Sequence, residues 1–187
     1  QIAKANNNEF QKFCRYYKAE LASNNLDRYY ETFKEYFNCF SDFSQTLTHC
    51  QYDIKLSDDF DATSHAFSKT KLFYGNTFET ITSNVVVLAC LNNISKGRSY
   101  DQFMEMDLKK YMTINKANRC NPFKETPAFQ VICACLESMI RNASHHGGMK
   151  LTNNGKVIQY QSGEDRKIRT MSYCSYLNQC NEIMLSC

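Results

Sequence analysis

Residues 27–50 read DRYYETFKEYFNCFSDFSQTLTHC. Tyr29, Phe33, Tyr36, Phe37, Phe40, Phe43, Leu47 and Cys50 lie on one broad stripe at helical spacing. The segment therefore predicts a long amphipathic helix with that stripe turned inward. Asp27 and Glu31 stand near its start, where the helix dipole favours acidic groups. Upstream, Asn8 can cap a first helix whose apolar face is Phe10, Phe13, Cys14, Tyr17 and Leu21. Asn24-Asn25 interrupts the pattern, and so short a break predicts an antiparallel helical hairpin.

Downstream, Ser57-Asp58-Asp59 opens a weaker helix through Ala66 and Phe67 that ends before Gly75. The β-branched residues between Thr77 and Leu91 favour a strand. However, Phe78, Ile81, Val85, Leu88 and Leu91 share a helical face, and helical neighbours decide for helix. Ser99-Tyr100-Asp101-Gln102 resembles a capping box and starts a helix bearing Phe103, Met106 and Tyr111, to about Asn115. Thr126-Pro127 is a cap followed by proline at the first helical position. Phe129, Ile132, Leu136, Met139 and Ile140 form the inner face of that helix, and Gly147-Gly148 ends it. Between 149 and 171 short alternating segments surround Asn153-Asn154-Gly155, a turn signal for a small β-hairpin, and Ser162-Gly163-Glu164-Asp165 marks a loop. A last helix carries Tyr173, Tyr176, Leu177, Cys180, Met184 and Cys187. The expectation is a mostly α, disulfide-stapled single domain over 1–187, with about six or seven helices and one small β-hairpin near 149–171.

The chain has 187 residues, of which ten are cysteine: Cys14, Cys39, Cys50, Cys90, Cys120, Cys133, Cys135, Cys174, Cys180 and Cys187. Their even number and wide spread suit disulfides across a fold better than metal ligation, which needs short local spacings. Disulfides persist in oxidising compartments, so the expected location is secreted and extracellular. Cys133 and Cys135 are two apart and would point about 200° apart on a helix. Each is expected to staple residues 127–144, read as a central element, to a different neighbour. The connectivity is open: ten cysteines allow on the order of 945 pairings. The polar opening QIAKANNNEF reads as the start of a mature chain whose signal has been removed. Asn93-Ile94-Ser95 and Asn142-Ala143-Ser144 are N-glycosylation candidates at Asn93 and Asn142. The longest apolar run, Val85 to Leu91, is too short for a membrane span.

Net charge is +3, too mild for a nucleic-acid binder. Catalytic and cofactor motifs are missing: there is no G-x-S-x-G, H-E-x-x-H, phosphate-binding loop or dinucleotide fingerprint. Asp53, Asp58, Asp59 and Asp61 fail the EF-hand pattern and read as helix-start acids. His145-His146 could attract copper or zinc, but no acidic or cysteine partner stands at ligand spacing, so both read as polar residues beyond a helix end. No catalytic residue, cofactor or metal site is assigned. Adjacent aromatics such as Tyr16-Tyr17 and Tyr29-Tyr30 cannot both lie deepest in a core, so Tyr16 and Tyr30 are expected half-exposed, where tyrosines serve protein interfaces.

Cys14-Arg15-Tyr16-Tyr17 running to Cys39, and Cys174-Ser175-Tyr176 running to Cys180, resemble the paired Cys-Tyr-Cys arrangements of the Bicycle class of aphid salivary effectors. Phe37-Asn38-Cys39-Phe40-Ser41-Asp42-Phe43 with Cys50 beyond it is similar to a Cys-containing helix of a nematode family of cysteine-rich secreted domains of unknown function. The tryptophan associated with that family's later half is missing here. The first resemblance implies a salivary protein acting on a host, with no catalytic residues to carry over. The resulting expectation is a secreted, non-enzymatic interaction protein, an effector or host-modulating factor with an unknown protein partner. The alternative is a carrier of small hydrophobic ligands, with Phe33–Phe43, Met106, Met139 and Met184 lining a cavity. A hydrolytic enzyme or toxin is the third reading, with no site to nominate.

Overall fold

The first helix, α1 (Asn7–Tyr16), is capped by Asn6, whose side chain accepts from the Glu9 amide at 3.3 Å. The computed structural model describes residue 4 and residues 6–52, 54–55, 60–123, 125–161 and 167–187. Asn24-Asn25 does not end the helix. The chain runs from α1 through a π-helical turn (Tyr17–Leu21) into α2 (Ala22–Asn38). The break falls instead at Cys39, ahead of α3 (Phe40–Gln51). Two asparagines cost roughly 0.5 kcal/mol each in a helix. That is too little to stop one that buries Asn25 itself and, two turns on, Thr32. The expected hairpin at 24–25 is therefore corrected. A π turn inserts one residue into the repeat, so sequence spacing alone does not carry a face across it.

The helix expected from Ser57 begins at Phe67. Ser57, Asp58 and Asp59 lie outside the described residues. α4 (Phe67–Asn84) passes through Gly75, and α5 (Val86–Ser95) follows a one-residue turn at Val85. Residues 77–91 are helical as assigned, apart from that turn. Ser99 does not cap a helix: its hydroxyl donates to Glu9 and Asp101, and 99–106 is irregular. Asp107 caps the shorter α6 (Leu108–Thr113), accepting from the Lys110 amide at 2.8 Å. The helix read across 127–144 is two, α7 (Pro127–Ala134) and α8 (Ser138–His145). The Tyr74 hydroxyl serves the break between them, donating to the Cys135 carbonyl and accepting from the Glu137 amide, each at 3.1 Å.

The hairpin is present and gains a third strand. β1 (Met149–Thr152), β2 (Val157–Gln161) and β3 (Ile168–Ser172) form an antiparallel sheet in that order. Met149 pairs with Tyr160, and Val157 pairs with Ser172. Asn153, Asn154 and Gly155 turn the first connection with φ of 52°, 52° and 88°, a conformation that Asn and Gly tolerate best. The 162–165 loop lies outside the described residues. Ser172 then caps α9 (Tyr173–Leu185) by accepting from the Ser175 amide at 3.1 Å. The fold is mostly helical with one small sheet.

Contacts divide the chain into two compact units. The first comprises Gln1–Tyr30 and Glu79–Ala134, the second Glu31–Phe78 and Cys135–Cys187. In the first, α1 packs on α5. The Phe103 and Tyr111 rings stack at 4.5 Å, Lys116 pairs with Glu79, and Arg119 donates to the Thr82 carbonyl at 3.1 Å. In the second, α9 packs on α3 and on β2 and β3, and α8 packs on β2. Phe43, Phe73, Tyr74, Tyr176, Leu177 and Ile183 are all fully buried there. Each such side chain contributes about 1.5–3 kcal/mol by leaving water.

Candidate functional site

The buried face of 31–50 is not the stripe that the apolar residues suggest. Thr32, Tyr36, Cys39, Phe43 and Thr46 are buried, whereas Phe33, Phe37 and Phe40 are 43%, 66% and 41% exposed. The buried residues recur at 32, 36, 39, 43 and 46, a regular helical seam. It holds because its polar members find partners. The Tyr36 hydroxyl donates to Asn181 at 2.8 Å, and the Asn181 amide donates to the Phe43 carbonyl and Thr46 hydroxyl at 3.1 and 2.9 Å. The three phenylalanines lie on the neighbouring, outward face.

That outward face has a firm base. Tyr36 stacks on Phe43 at 5.2 Å, and Phe43 meets Phe73 at 5.0 Å. Phe37 and Phe40 set their edges against the same Tyr36 ring at 5.7 and 6.0 Å and lie 6.3 Å from each other. Two exposed rings are thus held by a buried one, so little side-chain freedom is left to lose on binding. Glu35 beside them accepts from Asn76 at 3.2 Å, and Lys34 pairs with Glu31 at 3.3 Å. In the part of α2 belonging to the first unit, Leu26 and Tyr30 are also exposed. Within the Phe33–Phe43 stripe, Phe33, Phe37 and Phe40 are directed outward and Phe43 packs into the helix seam. Tyr16 is half-buried and Tyr30 exposed.

The ten cysteines are thiols in the structure and fall into groups. Cys14, Cys90, Cys120 and Cys133 belong to the first unit, and Cys39, Cys50, Cys135, Cys174, Cys180 and Cys187 to the second. Burial pushes the thiols of Cys39, Cys50, Cys133, Cys174 and Cys180 up, and those of Cys90 and Cys187 up to about 12. A nucleophilic cysteine needs the opposite, a lowered value that populates thiolate at neutral pH. Cys133 and Cys135 do not share a helix: α7 ends between them at Ala134.

The glycosylation candidates differ. Asn93 is fully buried, its amide donating to the Tyr100 carbonyl at 3.1 Å and its oxygen accepting from Arg98 at 2.9 Å. A glycan on that nitrogen would have to be attached before this packing closes, and it would displace the bond to Tyr100. Asn142 is half-buried, with its oxygen accepting from Arg141 at 2.7 Å. His145 and His146 are exposed at the end of α8. Asp61 pairs with Lys156 at 2.8 Å, while Asp53 lies outside the described residues. Among the described residues, no group of three His, Cys, Asp or Glu side chains could hold a metal ion, and no helix is long and apolar enough to cross a membrane.

The first unit also has an open groove of about 610 Å³ lined by Tyr16, Tyr100, Leu108 and Met112 among others. Tyr16 and Tyr100 face each other there at 5.5 Å, and the Tyr16 hydroxyl points to the Met112 sulfur at 3.9 Å. Compared with known proteins, the chain has no significant match to a family model, a curated protein or a solved structure. Phe33, Phe37 and Phe40 are at least as apolar as the buried seam, so hydrophobicity alone does not separate the two faces. The signal that separates the two faces is the Thr32–Tyr36–Cys39–Phe43–Thr46 seam, which threonines make look polar.

Proposed function

We propose that this chain is a secreted, non-enzymatic interaction protein, an effector or host-modulating factor resembling the salivary class, that binds a protein partner through Phe33, Phe37 and Phe40. The observation that carries this reading is the exposure of three neighbouring phenylalanines, two of them set against the buried Tyr36 ring. Aromatic side chains with little freedom to lose are the usual anchors of protein interfaces. Two such anchors cost an interface more than about 1 kcal/mol each when removed, so losing both weakens binding at least tenfold. Phe37→Ser and Phe40→Ser together should lower the melting temperature by several degrees through the lost contacts with Tyr36 and leave the protein folded at 25 °C, since Phe37 is 66% and Phe40 41% exposed. The wild-type protein, immobilised on beads, should retain a partner from host tissue extract that the double variant loses. Equal retention by both proteins, or turnover of a substrate by the pure protein, refutes the reading.

The Tyr16–Tyr100 groove favours a second reading, a carrier of small hydrophobic ligands. Saturable displacement of a fluorescent fatty-acid probe at micromolar concentration, lost with Met112→Glu, would support it over the first. No saturable binding would remove it.

A further inference from the structure

We propose that the ten cysteines form five disulfides, Cys14–Cys90, Cys120–Cys133, Cys39–Cys180, Cys50–Cys174 and Cys135–Cys187, each closed within one unit. This pairing rests on the reading of the chain as secreted. It selects one scheme from the on the order of 945 that ten cysteines allow.

The second unit fixes three pairs. α3 and α9 pack side by side, and their contacts define an antiparallel register. Phe43 and Thr46 meet Asn181. Further along α3, Cys50 reaches back to Asn178, with sulfur and amide oxygen 2.7 Å apart. One turn before Asn178, on the same face of α9, is Cys174. The Cys174 thiol donates to the Phe60 carbonyl at 3.4 Å, and the Phe60 ring packs 4.4 Å from His49, the neighbour of Cys50. Both cysteines thus converge on one spot at the C-terminal end of α3. At the other end of α3, Cys39 sits between Tyr36 and Phe43, both of which bond to Asn181. The residue before Asn181 is Cys180, and both cysteines are buried. The nearby Cys39 thiol adds to the rise that burial imposes on Cys180. The third pair closes at the chain's end: the Cys135 thiol lies 3.1 Å from the Ser186 hydroxyl, and Cys187 is the next residue. Cys187, already raised by burial, is raised further by Cys135.

In the first unit, the turn at Cys120 is pinned to α7 by Phe123 against Phe129, rings 5.6 Å apart and edge to face. Phe129 stands one turn before Cys133 on that helix, and the Cys120 side chain offsets part of the rise that burial imposes on the Cys133 thiol. Cys14 and Cys90 remain, on the packed helices α1 and α5. Phe13 and Tyr16, either side of Cys14, both pack on Tyr100 at 5.9 and 5.5 Å. Cys90 acts on both Tyr16 and Tyr100, adding to the rise that burial gives their hydroxyls.

Each bond forms by ordinary thiol–disulfide exchange with an oxidised thiol–disulfide oxidoreductase of the secretory pathway. One protein thiol loses its proton and attacks the oxidant's S–S bond, which breaks and releases one of its sulfurs as a thiol. The second protein thiol, also deprotonated, attacks the mixed disulfide and releases the other. The two protein thiols give up two electrons and two protons, and the oxidant disulfide becomes a dithiol.

The test is disulfide mapping of protein secreted from eukaryotic cells. The protein is alkylated with iodoacetamide in denaturant without reductant and digested at pH 6. Linked peptides are then identified by mass spectrometry before and after reduction, with electron-transfer fragmentation to separate Cys133 from Cys135. The five stated links are expected, with no alkylated cysteine. Five disulfides with Cys120–Cys133 or Cys39–Cys180 replaced by other partners overturn the pairing and leave the secreted reading standing. Ten alkylated cysteines overturn the secreted reading and the pairing with it.

Discussion

Asn181 shows how a polar residue can organise an apolar seam. It is 2% exposed, and each end of its amide is used: the oxygen accepts from Tyr36, while the nitrogen donates to Phe43 and Thr46. Asn181→Leu keeps the volume but strands the Tyr36 hydroxyl, whereas the Phe43 carbonyl still accepts from Thr46 at 3.1 Å. A buried unsatisfied hydroxyl costs about 1–3 kcal/mol. The variant should therefore lower the unfolding free energy by that amount, read as a lower urea midpoint at unchanged m-value. Adding Tyr36→Phe should return most of the loss, because the stranded group is then gone. Recovery by Tyr36→Phe failing to appear would show that packing, not hydrogen bonding, sets the cost. Nothing in the sequence marks Asn181: a helical wheel of 173–187 places it beside Leu177 and Cys180, but its polarity argues for the surface.

At the scale of elements, Gly75 decides how closely another helix can lie against α4. Read locally, a glycine after Phe73-Tyr74 is a helix stop. In the fold it is mid-helix, because α8 comes so close that a Cβ at position 75 would lie 2.5 Å from His145 Nε2 and 2.7 Å from Ser144 Oγ. The exposed His145 can swing away. Ser144 is 2% exposed and its hydroxyl donates to the Arg141 carbonyl at 2.8 Å, so it cannot. Gly75→Ala gains about 1 kcal/mol of helix propensity but forces an overpacked contact costing about 1–3 kcal/mol. A lower melting temperature is expected, with Ser144→Ala in the same background restoring it. A higher melting temperature for Gly75→Ala alone would refute the close approach. The same tertiary override explains other differences between pattern and fold. Helical periodicity, the Asn-Asn-Gly turn and the proline start at Pro127 were legible because they act through neighbours in sequence. The break at Cys39, the division of 127–144 and the outward phenylalanines were not. Each depends on a partner distant in sequence: Asn181 against 36–46, and Tyr74 against the Cys135–Glu137 break.

At the scale of the whole molecule, the thiols tie stability to pH in a way that reports their oxidation. In the reduced protein, Cys90 and Cys187 are held by burial at about 12, against an ordinary value of 9.0. A folded value above the unfolded one means that the folded state keeps its proton longer. The stabilisation is therefore fully present below pH 9 and is lost as pH rises through about 12. Each such group lowers stability by roughly 1.4 kcal/mol per pH unit across that window. Burial pushes Cys39, Cys133, Cys174 and Cys180 in the same direction, so they add to the fall. Oxidation to disulfides removes every one of these protons. The oxidised protein should then hold its urea midpoint between pH 8 and pH 10, while the same protein kept in phosphine reductant loses stability steadily over that interval. Above pH 10 both forms should weaken, because the hydroxyls of Tyr36, Tyr74, Tyr173 and Tyr176 are raised by burial and are present in each. Parallel midpoint curves for the two forms between pH 8 and pH 10 would mean that the thiols are not buried as described. A fall confined to pH above 10 and equal in the two forms would place the pH dependence on the tyrosines alone.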